Sequence, residues 1–372
     1  MPLFKCFSVT DMNDFTEKIL GWYQINHRKL PWRETNDPYK IWVSEIIMQQ
    51  TRVDQGTAYY LRFIETFPDV NSLADASEQD VLLLWKGLGY YSRARNMHAT
   101  AIFVRDTFNA VFPSDFETLL KLKGIGRYTA AAISSICAGE ARPVVDGNVI
   151  RVISRIFGIQ DPVGSSGSAR KVFTMADELI SQENPGDFNQ AVMEFGAIQC
   201  KPAKPSCDNC IFRSRCVAFN QNLTTSIPAK KKEIQKRTRW FNYLFIHDSN
   251  GHAIFRKRTA TDIWKNLFEL PVLETGKLLS IQEIEQDPFW HYFADKMLLS
   301  VTGMTDFRHQ LTHQTIHARF FGIKLPADSK IVLPDEGDFR ILPWSDSGLP
   351  VSRLVEKFLQ AHEIQATGSN YH

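Results

Sequence analysis

The 372-residue chain has no run of eighteen apolar residues, which excludes an ordinary membrane-spanning helix. Its start, MPLFKCFSVTDMNDF, lacks the apolar stretch of a secretion signal and the Arg-rich, acid-poor character of a transit peptide, so the expected compartment is the cytoplasm. A charge excess is missing too. With 43 basic and 41 acidic residues the net charge is +2, so composition alone does not point to a nucleic acid. No internal repeat or low-complexity tract is apparent. Cysteine is scarce, six in all, and disulfides are the weakest reading of it in a reduced compartment.

What is present is enough chain, 44% hydrophobic, to bury a sizeable core in two domains or more. The missing net charge returns as local clustering. Between 201 and 240, Lys201, Lys204, Arg213, Arg215, Lys230, Lys231, Lys232, Lys236, Arg237 and Arg239 face only Asp208 and Glu233. A phosphate backbone suits such a stretch, and so does a plain solvated linker.

The same stretch divides the chain. Before it the pattern is helical, with segments such as DPYKIWVSEIIMQQT, SEQDVLLLWKGLG, DFETLLKLKGIG, RYTAAAISSICAG and DGNVIRVISRIFGI, several of which open on Asp or Ser and close at Gly, as short capped helices do. After it, WFNYLFIHD, HAIFRKR, LTHQTIHARFFGIKLP and RILPW are aromatic and β-branched, broken by turn residues, and read as strands with a helix or two between them and one at PVSRLVEKFLQAHE. The expected fold class is therefore multidomain: an all-α domain over 1–222, a basic linker over 223–238, an α+β domain over 239–363 and a tail over 364–372.

Four cysteines, Cys200, Cys207, Cys210 and Cys216, lie in CKPAKPSCDNCIFRSRC with the spacing C-x6-C-x2-C-x5-C. Structural zinc sites usually present two close Cys pairs, and here only Cys207 and Cys210 make one. An iron–sulfur cluster accommodates the uneven spacing more easily. Cys6 and Cys137 lie outside the group and read as ordinary thiols.

In LKGIGRYTAAAI, Gly124 and Gly126 sit in a turn between a helix ending at Leu122 and one beginning near Arg127. Glycine permits close backbone approach, and the following helix N-terminus presents free amides, so the turn suits a phosphate as well as a simple connection. This is a helix-hairpin-helix signature. Glu45 falls mid-helix between Val43 and Ile46, an apolar setting that favours a protonated carboxyl. Asp146, ahead of GNVIRV, is also a good helix cap.

A helix-hairpin-helix, then VDGNVIRV, then the cysteine spacing resembles the DNA glycosylase superfamily that includes endonuclease III and the adenine glycosylases of the MutY family. LPWRETNDPYKIWVSEIIMQQTRV is similar to the active-site helix of the adenine branch, and Tyr128 stands where endonuclease III has its Schiff-base lysine. The chain also continues through an extra domain, which that family carries as a MutT-like module. The resemblance implies an enzyme of base-excision repair that hydrolyses the N-glycosidic bond of adenine opposite 8-oxoguanine or guanine in duplex DNA. By the same resemblance it acts as a monofunctional monomer, cytoplasmic and nucleoid-associated.

The resemblance implies roles for individual residues. Glu45 would protonate adenine and then activate water, while Asp146 would stay ionised and stabilise or trap the oxocarbenium ion. Tyr128 and Asn148 would support them. The base must leave the stack for this chemistry. Gln50 and Tyr90 would fill the gap, with Met48 and Thr51 close by and Arg33 lining the adenine pocket. One of Tyr90 and Tyr91 would instead be an ordinary core aromatic. Lys123, with Gly124 and Gly126, would meet phosphate. Cys200, Cys207, Cys210 and Cys216 would hold a [4Fe-4S] cluster that projects Lys201 and Lys204 towards DNA.

In the C-terminal domain, Leu311-Thr312-His313 stands where the family commonly has Phe-Ser-His, so Thr312 and His313 would read the base opposite adenine. His309, His313 and His317 recur every four residues, but the alternation around them favours a strand over a metal-binding helix. No Nudix box is present, and no nucleotide hydrolysis is expected.

Overall fold

The computed structural model describes the chain apart from residues 1–8, 164, 230–235, 260–261, 312, 327–328, 335–337, 346–348 and 369–372. It divides into two compact units, one of residues 1–76 with 96–233, the other of residues 77–95 with 234–372. The contiguous division read from the sequence thus differs from the grouping at 77–95, and the middle of the expected linker, 230–235, lies outside the described residues.

In chain order the helices begin with α1 (Val9–Asn26), a 3-10 turn (Pro31–Arg33), α2 (Pro38–Met48), α3 (Val53–Thr66), α4 (Val70–Asp75), α5 (Glu78–Leu84) and α6 (Ser92–Phe108). They continue with α7 (Phe116–Leu119), α8 (Arg127–Cys137), α9 (Gly147–Phe157), α10 (Ser166–Leu179), α11 (Pro185–Ile198) and α12 (Val217–Asn220). Side chains fix their starts. Asp37, Asp69, Ser77, Asp115, Asp146 and Ser165 each accept a hydrogen bond from a first-turn amide, which satisfies a donor the helix leaves unpaired. Helix α9 stops at Gly158 in the left-handed region, φ 74°. The helix expected to run to Leu122 ends earlier. Beyond Leu119 the amides of Lys121 and Leu122 turn to carbonyls three residues back and tighten the chain into the glycine turn.

The core of the first unit gathers Phe15 and Ile19 of α1, Val152 and Ile156 of α9 and Phe188 and Phe195 of α11. Helix α11 approaches its neighbours through glycine. A Cβ on Gly186 would lie 2.9 Å from the Ile136 backbone, and one on Gly196 would lie 2.6 Å from Asn148 Cβ. That closeness puts α11 directly against the start of α9.

The iron–sulfur expectation is corrected by the structure. Cys200, Cys207, Cys210 and Cys216 line one small cavity, but among the described residues no group of three or more His, Cys, Asp or Glu side chains is arranged to hold a metal ion. A [4Fe-4S] cluster needs four thiolates. Here burial pushes the Cys207, Cys210 and Cys216 thiols up, Cys210 to about 11, which favours neutral thiols. The sulfurs are engaged by the protein as well: Arg155 donates to Cys200 Sγ at 3.4 Å, the Phe212 amide to Cys210 Sγ at 3.4 Å, and Cys216 Sγ to the Arg155 carbonyl at 3.4 Å. The all-α reading of this unit stands without a four-cysteine metal loop. Arg155, which also donates to the Lys201, Pro202 and Ile227 carbonyls, ties the segment down.

The second unit is α+β. Strands β1 (Arg237–His247), β2 (His252–Lys257), β3 (Phe268–Glu269), β4 (Val272–Thr275), β5 (Gly303–Gln310), β6 (Gln314–Lys324) and β7 (Phe339–Pro343) form one sheet ordered β3-β2-β1-β6-β5, with β4 on β1 and β7 on β2. Helices α13 (Ile281–Glu285), α14 (Pro288–Ala294) and α15 (Arg353–Gly368) complete it. Alternation sends Phe241, Tyr243 and Phe245 to one face, where Phe358 of α15 stacks on Phe320 at 4.1 Å. Leu244, Ile246, Phe321 and Ile323 meet Ile284 of α13 and Phe293 of α14 on the other. No described helix is long and apolar enough to cross a membrane.

Candidate active site

Three helices of the first unit bring the expected carboxylates together. Helix α2 is mostly buried along its length and carries Glu45, to which the Tyr128 hydroxyl at the start of α8 is hydrogen-bonded. Burial pushes the Glu45 carboxyl up to about 7, the Tyr128 hydrogen bond pulls it down, and the Asp146 charge pushes it up again. A carboxyl so placed can give up a proton near neutral pH, the property a general acid needs. Tyr128 itself is raised well above an ordinary phenol, first by burial and then by the two carboxylates, and its hydroxyl also lies 3.5 Å from Met193 Sδ on α11.

Asp146 caps α9. Its Oδ1 accepts from the Asn148 and Val149 amides at 2.8 Å each, and its Oδ2 from Asn148 Nδ2 at 2.7 Å. Asn148 is held in turn. Arg151 donates to Asn148 Oδ1 at 2.8 Å, to the Gly196 carbonyl at 2.7 Å and to the Cys200 carbonyl at 2.7 Å. The cap reading and the site reading of Asp146 therefore concern one and the same geometry.

Arg33 is fixed by a network that the sequence reading did not include. Glu194 of α11, 1% exposed, accepts from Arg28 Nε at 2.7 Å and Nη2 at 2.8 Å, from the Arg28 amide at 2.9 Å and from Arg33 Nη2 at 2.9 Å. Arg33 also donates to Gln190 Oε1 and to the Arg28 carbonyl, each at 2.9 Å. These donors hold the Glu194 carboxyl down at about 2 against its burial. Its signal in the sequence was a carboxylate inside AVMEFGAI, a stripe whose other buried members are apolar. Through Gln190, Met193, Glu194 and Gly196, one helix braces Arg33, Tyr128 and Asn148.

The other expected contacts are placed as follows. Gln50 is exposed with φ 59°, and Tyr90 is 49% exposed with φ 49°, two non-glycine residues in the left-handed region where backbone strain clusters at functional sites. Tyr91 is the core member of the tyrosine pair, its hydroxyl donating to the Val351 carbonyl at 3.3 Å. Met48 packs against Gly56, and Thr51 lies beside it. Lys123 and Gly126 are exposed, Gly124 has φ 83°, and a Cβ on Gly126 would meet nothing within 4 Å. The turn thus offers an open backbone at an uncapped helix start. Lys201, Lys204 and His313 are exposed, and Thr312 lies outside the described residues. His309 and His317 pair with Ile316 and Arg308 across the β5–β6 ladder, which puts the two histidines on opposite faces of the sheet.

Residues 43–172 match the HhH-GPD superfamily base excision DNA repair protein model. An adenine DNA glycosylase of Buchnera aphidicola subsp. Schizaphis graminum is 37% identical over 306 residues, 82% of this chain and 85% of the relative. Another, from the Acyrthosiphon pisum subspecies, is 33% identical and covers 92% of this chain and 97% of its own. The Homo sapiens adenine DNA glycosylase is 40% identical over 219 residues, 56% of this chain and 40% of the relative. Among solved structures, a thermostable thymine-DNA glycosylase superposes with a TM-score of 0.52 at 26% identity, covering 57% of this chain and all of its own. With a braced carboxyl pair, a helix-hairpin-helix turn and relatives matched over most of their length, the chain belongs to the adenine DNA glycosylase family.

Proposed function

We propose that this enzyme hydrolyses the N-glycosidic bond of adenine paired with 8-oxoguanine or guanine in duplex DNA. The observation that carries the reading is the Glu45 carboxyl, held near pH 7 beside Tyr128 and Asp146. Glu45 donates its proton to the purine ring, the C1′–N9 bond breaks with its electron pair leaving on the base, and the Asp146 carboxylate faces the cationic sugar. Water, deprotonated by Glu45, then adds to C1′ and leaves an abasic site. Tyr128 and Asn148 hold the two carboxylates in place, and Tyr128 supplies no amine for a Schiff base, so the strand is not nicked.

Arg33 lines the pocket for the extruded adenine. Gln50 and Tyr90 fill the vacated stack, with Met48 and Thr51 beside them, while Lys123, Gly124, Gly126, Lys201 and Lys204 contact the backbone. Thr312 and His313 read the opposite base. The functional division follows the chain: excision in 1–222, a basic linker over 223–238, lesion reading in 239–363 and a tail over 364–372. The protein works as a monomer in the cytoplasm.

The test is an end-labelled duplex with one adenine opposite 8-oxoguanine, analysed with and without hot alkali beside a thymine-glycol duplex. Breakage at adenine only after alkali is the expected result. Alkali-independent breakage at thymine glycol would replace this reading with a glycosylase/lyase of oxidised pyrimidines, and retarded but uncut DNA would replace it with a lesion-binding protein.

A further inference from the structure

One row of side chains crosses the outer end of the sheet in the second unit. Arg308 of β5 pairs with His317 of β6, and His317 with Trp240 of β1. Directly paired residues share a face, so the three stand side by side on the face that α13 and α14 cover further along. That cover stops one row short. Asn242 is fully buried, donating to Thr275 and accepting from the Leu279 amide, and Arg319 donates to the Leu279 carbonyl at 2.8 Å, so the 275–279 loop closes over the Asn242–Arg319 row. Trp240 and His317 belong to neither apolar cluster of the unit; they stack on each other at 6.1 Å and 20° and stay partly exposed, and Arg308 is exposed.

The chemistry of the row is donor-rich and cationic. Asp306, one row along on the same face of β5, is committed to Arg319 by two bonds of 2.7 Å. Arg308 offers its guanidinium, Trp240 its indole N–H and His317 a ring N–H, three donors on adjacent strands with no carboxylate paired to them among the described residues. A flat strip of donors about 10 Å wide, two strand spacings, matches a stretch of phosphodiester better than an apolar partner.

We propose that Arg308, His317 and Trp240 form a docking strip for the sugar–phosphate backbone of duplex DNA. The strip rests on the reading of the chain as a DNA glycosylase, and it is independent of which base is read. The test is equilibrium binding of the full chain to an undamaged duplex and to an adenine·8-oxoguanine duplex across a salt series. Arg308→Gln removes one ionic contact, so the slope of log K against log salt falls by about 0.9 and affinity at 0.1 M salt by about eightfold, equally on both duplexes. Arg308→Lys keeps the charge and restores the slope. Trp240→Phe keeps the ring but not the N–H, and weakens both duplexes by about two- to tenfold with the slope unchanged. Thermal melting verifies that each variant folds.

Wild-type slope and affinity in both Arg308→Gln and Trp240→Phe would overturn the strip. So would a loss confined to the lesion duplex, which would make the row a base reader. A protein that excises no adenine yet shows the slope change would refute the enzymatic reading and leave the strip standing.

Discussion

Replacing Glu45 by Gln is expected to stabilise the protein, and by more at alkaline than at acid pH. Its carboxyl titrates at about 7 when folded against 4.5 for the free side chain. The folded chain therefore binds the extra proton, and this group's contribution to stability is complete below 4.5 and is lost as pH rises through 7. From that difference the side chain costs roughly 1.4 kcal/mol of folding stability at pH 5.5 and roughly 3.4 kcal/mol at pH 8.5, upper values because the residue keeps some solvent access. Glutamine does not titrate. Its stability gain over the wild type is thus expected to grow by about 2 kcal/mol between those two pH values, whatever constant offset the amide introduces. Urea denaturation of both proteins at the two pH values measures this directly, with excision lost and DNA binding kept in the variant. A gain that is the same at both, or one that shrinks towards pH 8.5, would refute the argument that burial holds this carboxyl protonated.

Other expectations follow from the same geometry. Tyr128→Phe removes the hydrogen bond that pulls Glu45 down, so the alkaline limb of the single-turnover rate moves to higher pH; an unmoved limb in a folded variant contradicts the coupling. Gly196→Ala drives a Cβ into Asn148, which costs about 1–3 kcal/mol and slows excision, whereas Gly126→Ala leaves stability nearly unchanged and weakens DNA binding. Urea curves and gel shifts separate the two. Glu194→Ala strands Arg28 and Arg33 and costs about 3–5 kcal/mol. With its pKa held at about 2, the stabilisation from Glu194 is present above 4.5 and disappears as pH falls through 2, so acid unfolding of wild type and Glu194→Gln converges at the low end.

Residues that act locally were legible in the sequence. Asp37, Ser77, Asp115 and Asp146 announce helix starts because a cap needs only its own next three residues. The strands at β1, β2 and β6 were readable from aromatic and β-branched composition, while β5, whose residues are mostly exposed, lacks the buried alternation that would have marked it. The tertiary partners of Glu194 and Arg151 were not legible, because Arg28 and Arg33 lie 166 and 161 residues from Glu194, Gly196 and Cys200 lie 45 and 49 from Arg151, and only the packing of α11 brings them together. The cysteine spacing misled for a related reason. Spacing limits which ligands are within reach, but the surroundings decide whether a thiol ionises, and here burial favours the protonated form of Cys210 and outweighs the Phe212 amide, which pulls the other way.

The assignment of residues 77–95 to the second unit bears on how the chain can be cut. Severing it near residue 233 does not yield two self-sufficient halves. The amino-terminal fragment keeps Glu78, Lys86, Tyr91 and Arg95, whose partners Asn266, Glu356, Val351 and Lys265 depart with the other piece. Tyr91, buried in the intact protein, then loses its hydrogen bond to the Val351 carbonyl. A truncated glycosylase of this kind, used to ask what the second unit contributes, reports in addition on a damaged 77–95 segment and on the Tyr90 it presents.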